Sequence, residues 1–322
     1  MATPRATPED RTGSHEAVSP LRRFGRSSSA GDVAVLGVAA VWGSSYAVMQ
    51  LVNATGLSAP NFLALRFLTA AVPLLLYAVL ARVRINRSEF LYGLLYGALL
   101  FTILFLETVG VSYTSAANAG FLITVSVILV PLYSRILGGR RQQGAIYALS
   151  LLALLGCAAL TLGTSDSVGF RPGDLIILAA ALVRAYQIYS FGRTSSQRSF
   201  DVLSVTLVEV VVVMVLSLAV SPFWGPMIIE QVPNIPPLTW LLIAYLGVLG
   251  TAYAFAAQLF AARRTSATRV ALILSTEPVF AAIFAVVLRG EQLVFMQVLG
   301  GVMIVVAAGV GRVLESRSEA VA

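Results

Sequence analysis

The chain has 322 residues, of which 58% are hydrophobic and only 11% are charged. A soluble domain is about half apolar and about one quarter charged, so this composition excludes an ordinary soluble protein and indicates one embedded in a lipid bilayer. The formal net charge is +7, and every basic side chain is an arginine. Because most arginines lie in short gaps between apolar runs, the charge indicates membrane topology rather than a nucleic-acid partner.

The side chains that usually serve in catalysis and metal binding are scarce. There is one cysteine, Cys157, within an apolar run, and one histidine, His15, in a polar N-terminal segment. This excludes a disulfide within the chain, a His/Cys metal cluster and a Ser-His or Cys-His catalytic pair in the folded core. No phosphate-binding Walker motif is present either. We therefore expect a protein that is not an enzyme, holds no metal or cofactor, and is not driven directly by ATP.

Two polar tails enclose ten apolar runs. Residues 1–30 are rich in Ser, Pro, Arg and Thr and are predicted to form a disordered cytoplasmic tail. Residues 316–322 form a short cytoplasmic C-terminal tail. Each run between the tails is long enough to cross about 30 Å of hydrocarbon as a helix. The predicted fold is all-α integral membrane, with ten transmembrane helices at about residues 33–52, 60–81, 90–111, 115–137, 144–163, 174–192, 202–222, 239–261, 266–288 and 294–313.

The distribution of arginines predicts the orientation in the membrane. One set of alternate gaps holds only Arg171 and Arg289, whereas the opposite set and the two tails hold most of the others. Arginine-rich gaps face the cytoplasm, so both termini are predicted to be cytoplasmic. The arginine- and alanine-rich composition is typical of a GC-rich bacterial genome, and the expected location is therefore the bacterial inner membrane.

The second half of the chain repeats the first. "TSAANAGFLITVSVILVPLYSRILGGR" begins at Thr114 and "TSATRVALILSTEPVFAAIFAVVLRGE" begins at Thr265, while "GDVAVLGVAAVW" begins at Gly31 and "GDLIILAAALVR" at Gly173. A repeat unit of five helices crosses the membrane an odd number of times, so the second copy must be inverted. Inverted repeats are typical of secondary transporters, which hold substrate between the halves. The alternative is a chance likeness between apolar helices.

Several segments together resemble the EamA family of the drug/metabolite transporter superfamily. They are "VWGSSYAVMQ", "ALRFLTAA", "ETVGVSYTSAANAGFL" and "STEPVFAAIFAVVLRGE". The resemblance implies ten helices as two inverted five-helix EamA repeats, at residues 31–165 and 172–315, around a central cavity. It also implies export or exchange of small metabolites such as amino acids. Two positions depart from the family pattern: Arg184 corresponds to Trp42 of the first repeat, and Glu107 stands where Gln is common.

Five ionisable side chains lie inside the apolar runs. Each costs about 2.5–3.5 kcal/mol at the centre of a bilayer on insertion scales, so each is expected to face a partner or a wet cavity. One interpretation is a set of internal salt bridges between helices; the other is a binding site for a zwitterion or a proton relay. For Glu107, near the outer end of its run, we expect a partly hydrated structural role. The five are Arg66, Glu107, Arg184, Glu209 and Glu277.

Glu277 is the foremost candidate for a functional residue, because Pro278 follows it near the middle of the ninth run. Proline cannot donate a backbone hydrogen bond and disfavours helix at the residue before it. Free carbonyls within a bilayer are tolerated only against protein or water, so this helix break predicts a cavity wall. The carboxylate could bind an amine or carry a proton. The alternative is a permanent pair with Arg66 or Arg184.

Further candidates would complete the site. Arg66 and Arg184 could each hold an anionic group of a substrate, and Arg66 and Glu209 occupy similar places in the two repeats. Trp42, midway along the first run, could form a wall of the pocket or stack on substrate, or serve only in packing. Other residues predicted to line a cavity are Tyr46, Asn118, Tyr186 and Gln187.

These features predict a secondary transporter, an exporter or exchanger of small polar metabolites that works by alternating access around the cavity. A proton is a candidate coupling ion, and homo-oligomerisation is left open. The alternatives are a drug or toxic-compound efflux pump, a membrane-embedded enzyme acting on lipid-linked substrates, and a scaffold or sensor that transports nothing.

Overall fold

The computed structural model of the protein describes residues 24–80, 82–114, 116–139, 143–162, 171–197, 200–262, 264, 266–289 and 294–321. Within these ranges every regular element is a helix, and no strand occurs. The prediction of an all-α chain is therefore confirmed. The α-helices are α1 (Phe24–Asn53), α2 (Ala59–Leu80), α3 (Arg87–Val111), α4 (Ala116–Ile123), α5 (Ser126–Ile136), α6 (Gly144–Leu162), α7 (Pro172–Gln197), α8 (Val202–Val220), α9 (Ile228–Gln231), α10 (Pro237–Gly247), α11 (Ala254–Ala262), α12 (Ala267–Leu274), α13 (Glu277–Arg289) and α14 (Phe295–Val321).

Seven helical segments in the described part of the chain are long and apolar enough to cross a membrane. They are Ala30–Asn53, Ala59–Leu80, Arg87–Val111, Asn118–Ile136, Pro172–Ser195, Leu203–Phe223 and Pro237–Gln258. Two shorter apolar helices, Gly144–Ala159 and Phe295–Gly311, accompany them. The predicted run at 266–288 is divided between α12 and α13. The protein is thus a multi-helix membrane protein.

The terminal helices extend into both predicted tails. α1 begins at Phe24, so residues 24–30 extend the first helix, and residues 1–23 lie outside the described part. α14 continues to Val321, so most of the segment 316–322 is helical. The apolar pattern marks where a helix meets lipid, but it does not mark where a helix ends in water.

Two carboxylates cap the first turns of α3 and α8 and hold these two helix ends next to each other. The Asn86 side chain accepts the Glu89 N–H at 2.8 Å, and the Glu89 carboxylate accepts the Asn86 N–H at 3.0 Å, which is a capping box. The other Glu89 oxygen accepts the Asp201 N–H at 2.9 Å, and Asp201 in turn caps α8 through Ser204. Glu89 therefore joins the first turns of two helices from different halves of the chain.

Contacts between the halves fall into matching pairs. α3 packs on α7 and α8, just as α11 packs on α1 and α10 packs on α2. α5 packs on α7 as α13 packs on α1, while α6 packs on α14 and α2 packs on α8. Two helices are also interrupted at matching places, α4/α5 at Thr124 and α12/α13 at Ser275. The spacing between these two residues equals the spacing between Thr114 and Thr265 in the sequence repeat.

A buried ion pair also connects the halves. The Arg269 Nε and Nη2 atoms of α12 donate to the two carboxylate oxygens of Asp32 in α1, at 2.9 and 2.5 Å. Both side chains are almost wholly buried. Asp174, at the matching position of the repeat, instead accepts a hydrogen bond from the Thr114 hydroxyl at 2.5 Å. The sequence analysis did not single out Asp32 or Arg269.

α1 and α13 approach each other closely at Gly43. A Cβ atom there would lie 2.7 Å from the Glu277 carbonyl oxygen and 2.8 Å from the Ala281 amide nitrogen. We expect Gly43→Ala to lower the free energy of unfolding by about 1–3 kcal/mol, because the two backbones must separate. Thermal unfolding of the purified protein in detergent measures this. Gly301→Ala is the matched control, since its Cβ would meet nothing within 4 Å. Equal unfolding midpoints for the two variants would contradict the prediction.

Candidate functional site

A narrow cavity lies between the helices and is lined by four of the five ionisable residues that the sequence places inside apolar runs. The space open to the centre of a water molecule is about 30 Å³, which has room for about two waters and is too small for an amino acid in this conformation. α1, α2, α3, α7, α11 and α13 contribute the walls. The polar lining residues are Ser45, Tyr46, Arg66, Glu107, Arg184, Gln187, Gln258 and Glu277, and the apolar ones are Trp42, Leu100, Ile103, Leu104 and Phe255.

Arg184 holds the centre of this site. Its Nη2 atom lies 3.3 Å from Oε2 of Glu277, and its Nη1 atom lies 3.6 Å from Oε1 of Glu107. The guanidinium also lies over the ring of Trp42, 4.7 Å from the centroid, a cation–π contact. Two carboxylates and an aromatic face therefore surround one cation. Such compensation is needed because the desolvation of a buried ion costs several kcal/mol.

Glu277 stands at a break in the helix. α12 ends at Leu274, and α13 begins at Glu277. The hydroxyls of Ser275 and Thr276 donate to the Leu272 and Ile273 carbonyls, at 2.6 and 2.7 Å. Pro278 lies in the first turn of α13, where its missing N–H would have no partner in the helix anyway. At this break the Glu277 carboxylate lies against Arg184, and the Leu272 and Ile273 carbonyls accept hydrogen bonds from the two hydroxyls.

A second, smaller cavity lies on the other side of the Arg184–Glu277 pair. It has about 10 Å³ open to the centre of a water molecule, and both Arg184 and Glu277 line it. The remaining polar walls come from the two helix interruptions, Thr124 and Ser126 on one side and Ser275 on the other. The ion pair therefore separates two small polar spaces.

Arg66 binds a π-helix rather than a carboxylate. Its Nε atom donates to the Thr251 hydroxyl at 2.8 Å, and its Nη2 atom donates to the Gly250 carbonyl at 3.1 Å. The Trp42 indole donates to the same carbonyl at 2.9 Å. Both acceptors belong to the π-helix Val248–Tyr253, a rare element that is frequent at functional sites. No carboxylate in the described part of the chain lies within 4 Å of Arg66, although Glu107 is near enough to interact with it electrostatically.

Glu209 lies behind the cavity wall. Its side chain is about 1% exposed and accepts a hydrogen bond from the cavity-lining Gln187, whose Nε2 atom donates to Oε1 of Glu209 at 3.1 Å. The same amide donates to the Tyr96 carbonyl at 3.3 Å. Gln187 itself lines the cavity, so it forms a bridge between Glu209 and the central space.

The structure brings together most of the residues that the sequence singled out. Trp42, Tyr46, Arg66, Arg184, Gln187 and Glu277 line the central cavity, and Glu209 lies one residue away. Asn118 is buried on α4 but is not part of the cavity wall.

Besides that of Asn118, two further interpretations were wrong. Tyr186 is 39% exposed and contacts the rings of Tyr133 and Tyr189 rather than the cavity. Glu107 is buried against Arg184 and lines the cavity, so it is not a partly hydrated residue at a helix end. Sequence reasoning also missed Ser45, Phe255, Gln258 and the π-helix. The two glycines in "YLGVLGTAY" were the available signal for the π-helix.

Comparison with known proteins decides the family. The model of the EamA-like transporter family matches twice, over residues 29–162 and 171–310. The chain belongs to this family. The resemblance drawn from the sequence is therefore confirmed. This EamA-family protein has, in each of its two matching segments, one of the interrupted helices described above.

Curated relatives of this EamA-family protein are named as transporters. An uncharacterized transporter of Archaeoglobus fulgidus is 26% identical over 299 residues, which cover 86% of this chain and 83% of the relative. The uncharacterized transporter YdfC of Bacillus subtilis is 27% identical over 261 residues, 76% of this chain and 79% of the relative. The family and these names indicate a transporter rather than an enzyme.

A solved crystal structure supports the fold. It has a TM-score of 0.72 with this protein at 21% sequence identity, and the match covers 90% of this chain and 99% of the other. At that identity the likeness concerns the fold alone.

Among the described residues no three His, Cys, Asp or Glu side chains form a group that could hold a metal ion.

The position of Arg184 between two carboxylates leads to a prediction about the stability of the folded protein. We expect Arg184→Gln to lower the free energy of unfolding by about 3–5 kcal/mol, because removal of one partner leaves buried carboxylates without a cation. Thermal unfolding in detergent measures the loss. Arg135→Gln is the matched control, since Arg135 is exposed near the end of α5. Similar midpoints for the two variants would show that the central ion pairs contribute little.

Proposed function

We propose that this protein is a secondary transporter of small zwitterionic metabolites, with amino acids as the substrate class, working as an exporter or exchanger. The observation that carries the proposal is the charge pattern of the cavity. Two guanidiniums, Arg66 and Arg184, face two carboxylates, Glu107 and Glu277, within one small space. A solute with one positive and one negative group can exchange for these partners without leaving a buried charge uncompensated.

Arg66 is the residue we propose for the carboxylate of the solute. Its described hydrogen-bond acceptors, Thr251 and Gly250, are both neutral. A carboxylate would add a charge-assisted hydrogen bond, about twice as strong as a neutral one. Glu107 and Glu277 are the residues we propose for the amine, which would replace part of their contact with Arg184. The small, charged cavity favours a polar metabolite over a bulky hydrophobic drug.

Alternating access is the mechanism that fits these observations. In the present conformation the cavity has room for about two waters, so the halves have to separate before an amino acid can enter. The matched contacts between the halves support two inverted repeats, because a pseudo-two-fold axis produces such pairs. We extend this to ten membrane spans, with both termini in the cytoplasm of a bacterial cell, on the strength of the arginine distribution.

A comparison of solutes tests the role of Arg66. We expect an amino acid that binds the protein to raise its unfolding temperature, because a ligand of the folded state stabilises it. The corresponding amino-acid amide, which lacks the carboxylate, should have a much smaller effect. Arg66→Gln should weaken binding of the acid at least about tenfold, since loss of one partner of a buried charge pair costs about 2–5 kcal/mol. Binding of the amide should not change.

A thermal-shift screen of purified protein against amino acids and other metabolites finds the solute, and counterflow in proteoliposomes then measures transport. Equal stabilisation by the acid and its amide would remove Arg66 from the site. If no solute in the screen stabilised the protein or exchanged across the liposome membrane, the proposed substrate class would be wrong.

Cysteine labelling tests the topology. Ala54 lies between α1 and α2 and Arg84 between α2 and α3, and both are exposed. In a Cys157→Ser background, we expect a membrane-impermeant maleimide to label Ala54→Cys in intact cells but to label Arg84→Cys only in broken cells. Cys157 is the one cysteine of the sequence, so this substitution removes the native thiol and the background labelling should be low. The reverse pattern would overturn the proposed orientation.

A further inference from the structure

Glu209 is a buried carboxylate that pairs with no cation of the described residues. Its side chain is about 1% exposed, and its Oε2 atom has no hydrogen-bond partner within the part of the chain that the structure describes. Its Oε1 atom accepts from Gln187. No arginine in the described part of the chain lies within 4 Å of either oxygen. Glu107 and Glu277, in contrast, share the guanidinium of Arg184.

The elements packed around α8 do not supply the missing cation. α3 presents Tyr96, whose backbone carbonyl accepts from Gln187, and α7 presents the neutral Gln187 amide. On α2 the Arg66 guanidinium is bonded to the π-helix, and on α11 the polar group is the neutral amide Gln258. An isolated ionised carboxylate is very costly in such surroundings. A carboxyl group here is best accommodated when it carries a proton.

Gln187 links this carboxyl group to the central cavity. Its amide donates to Glu209 and to the Tyr96 carbonyl, and its side chain forms part of the cavity wall. An ionised carboxylate can only accept hydrogen bonds, whereas a protonated one can also donate. An ionised Glu209 can therefore bind only the NH₂ group of Gln187, whereas a protonated Glu209 can bind either this NH₂ group, as in the structure, or the Gln187 carbonyl oxygen. The polar group of the Gln187 amide that does not bind Glu209 is then available to the cavity.

We propose that Glu209 binds the coupling proton of transport and that Gln187 transmits its protonation state to the solute site. The inference rests on the proposed transport function and assigns the coupling ion to a site separate from Arg184 and its two carboxylates. The proton comes from water on one side of the membrane, bonds to the Glu209 carboxylate, and returns to water on the other side when the halves reorient.

Infrared spectroscopy of the purified protein tests proton binding without any solute. We expect the wild-type spectrum to contain a carbonyl stretching band of a buried carboxylic acid that changes with pH. Glu209→Gln should abolish this band, and Glu277→Gln should retain it. Gln187→Leu, which removes the hydrogen bond to Glu209, should shift its frequency. This variant gives a second measurement in case Glu209→Gln does not fold. A band that survives Glu209→Gln, or that Gln187→Leu leaves unshifted, would overturn the proposal.

Transport in proteoliposomes tests the coupling, with the amino acid that the thermal-shift screen identifies as the probe. With one proton per solute and the membrane potential clamped at zero, a gradient of one pH unit should drive accumulation up to about tenfold. Accumulation toward either side supports coupling, as antiport or symport. Glu209→Gln should abolish the accumulation, while a thermal unfolding transition in detergent checks that this variant is folded.

Accumulation that persists in Glu209→Gln would overturn the assignment to Glu209. If the screen identifies no amino acid, the proposed function fails while the infrared measurement still decides whether Glu209 binds a proton. The two proposals can therefore fail separately.

Discussion

The guanidinium of Arg184 is the constraint on which the centre of the structure depends. A cation at this depth has little access to water, so the protein has to provide the counter-charges itself. It does so with Glu107 from α3 and Glu277 from α13, and it adds the face of Trp42 from α1. Four helices are thereby positioned around one side chain. The break before Glu277 follows from the same need, because it directs the carboxylate to this point.

The polar contacts around the cavity mostly join the first half of the chain to the second. Arg184 contacts Glu107, Arg66 and Trp42 contact the Gly250 carbonyl, and Gln187 contacts the Tyr96 carbonyl. The apolar packing between helices surrounds these contacts but lacks their directionality. If the two halves move relative to each other, each buried polar group must find a new partner, in protein, water or solute. This need for new polar partners links the binding of a solute to the movement of the two halves, and it does so more directly than the shape of the cavity.

The sequence predicted a residue of the site correctly where its position along an apolar run was enough to place it near the cavity. Counting residues along the apolar runs placed Trp42 and Glu277 near the middle of their runs and Arg66 and Arg184 within theirs, and the structure collects all four in one cavity. Counting does not determine which way a helix is rotated. Tyr186 and Gln187 are neighbours on α7 and therefore point about 100° apart. Only Gln187 faces the cavity.

The choice between the two possible partners of Glu277, and the π-helix, were not predicted from the sequence. The choice of Arg184 rather than Arg66 as the partner of Glu277 depends on the π-helix, which supplies acceptors for Arg66 at Thr251 and Gly250. A π-helix leaves the apolar pattern of a run almost unchanged and was not predicted. For Glu107, distance from the end of a run was a poor guide to hydration. Packing against α7 buries a residue that lies within a turn or so of the helix end.

The indole of Trp42 is a natural fluorophore, and its contact with Arg184 places it at the centre of the site. The chain has three tryptophans, and the other two, Trp224 and Trp240, lie at or next to the segment that joins α8 to α10. Indole emission depends on the charges and water near the ring. With phenylalanine at those two positions, the tryptophan emission of the protein would come from Trp42 alone. Rearrangement of the ion pairs could then be followed optically in real time, without a label or knowledge of the solute.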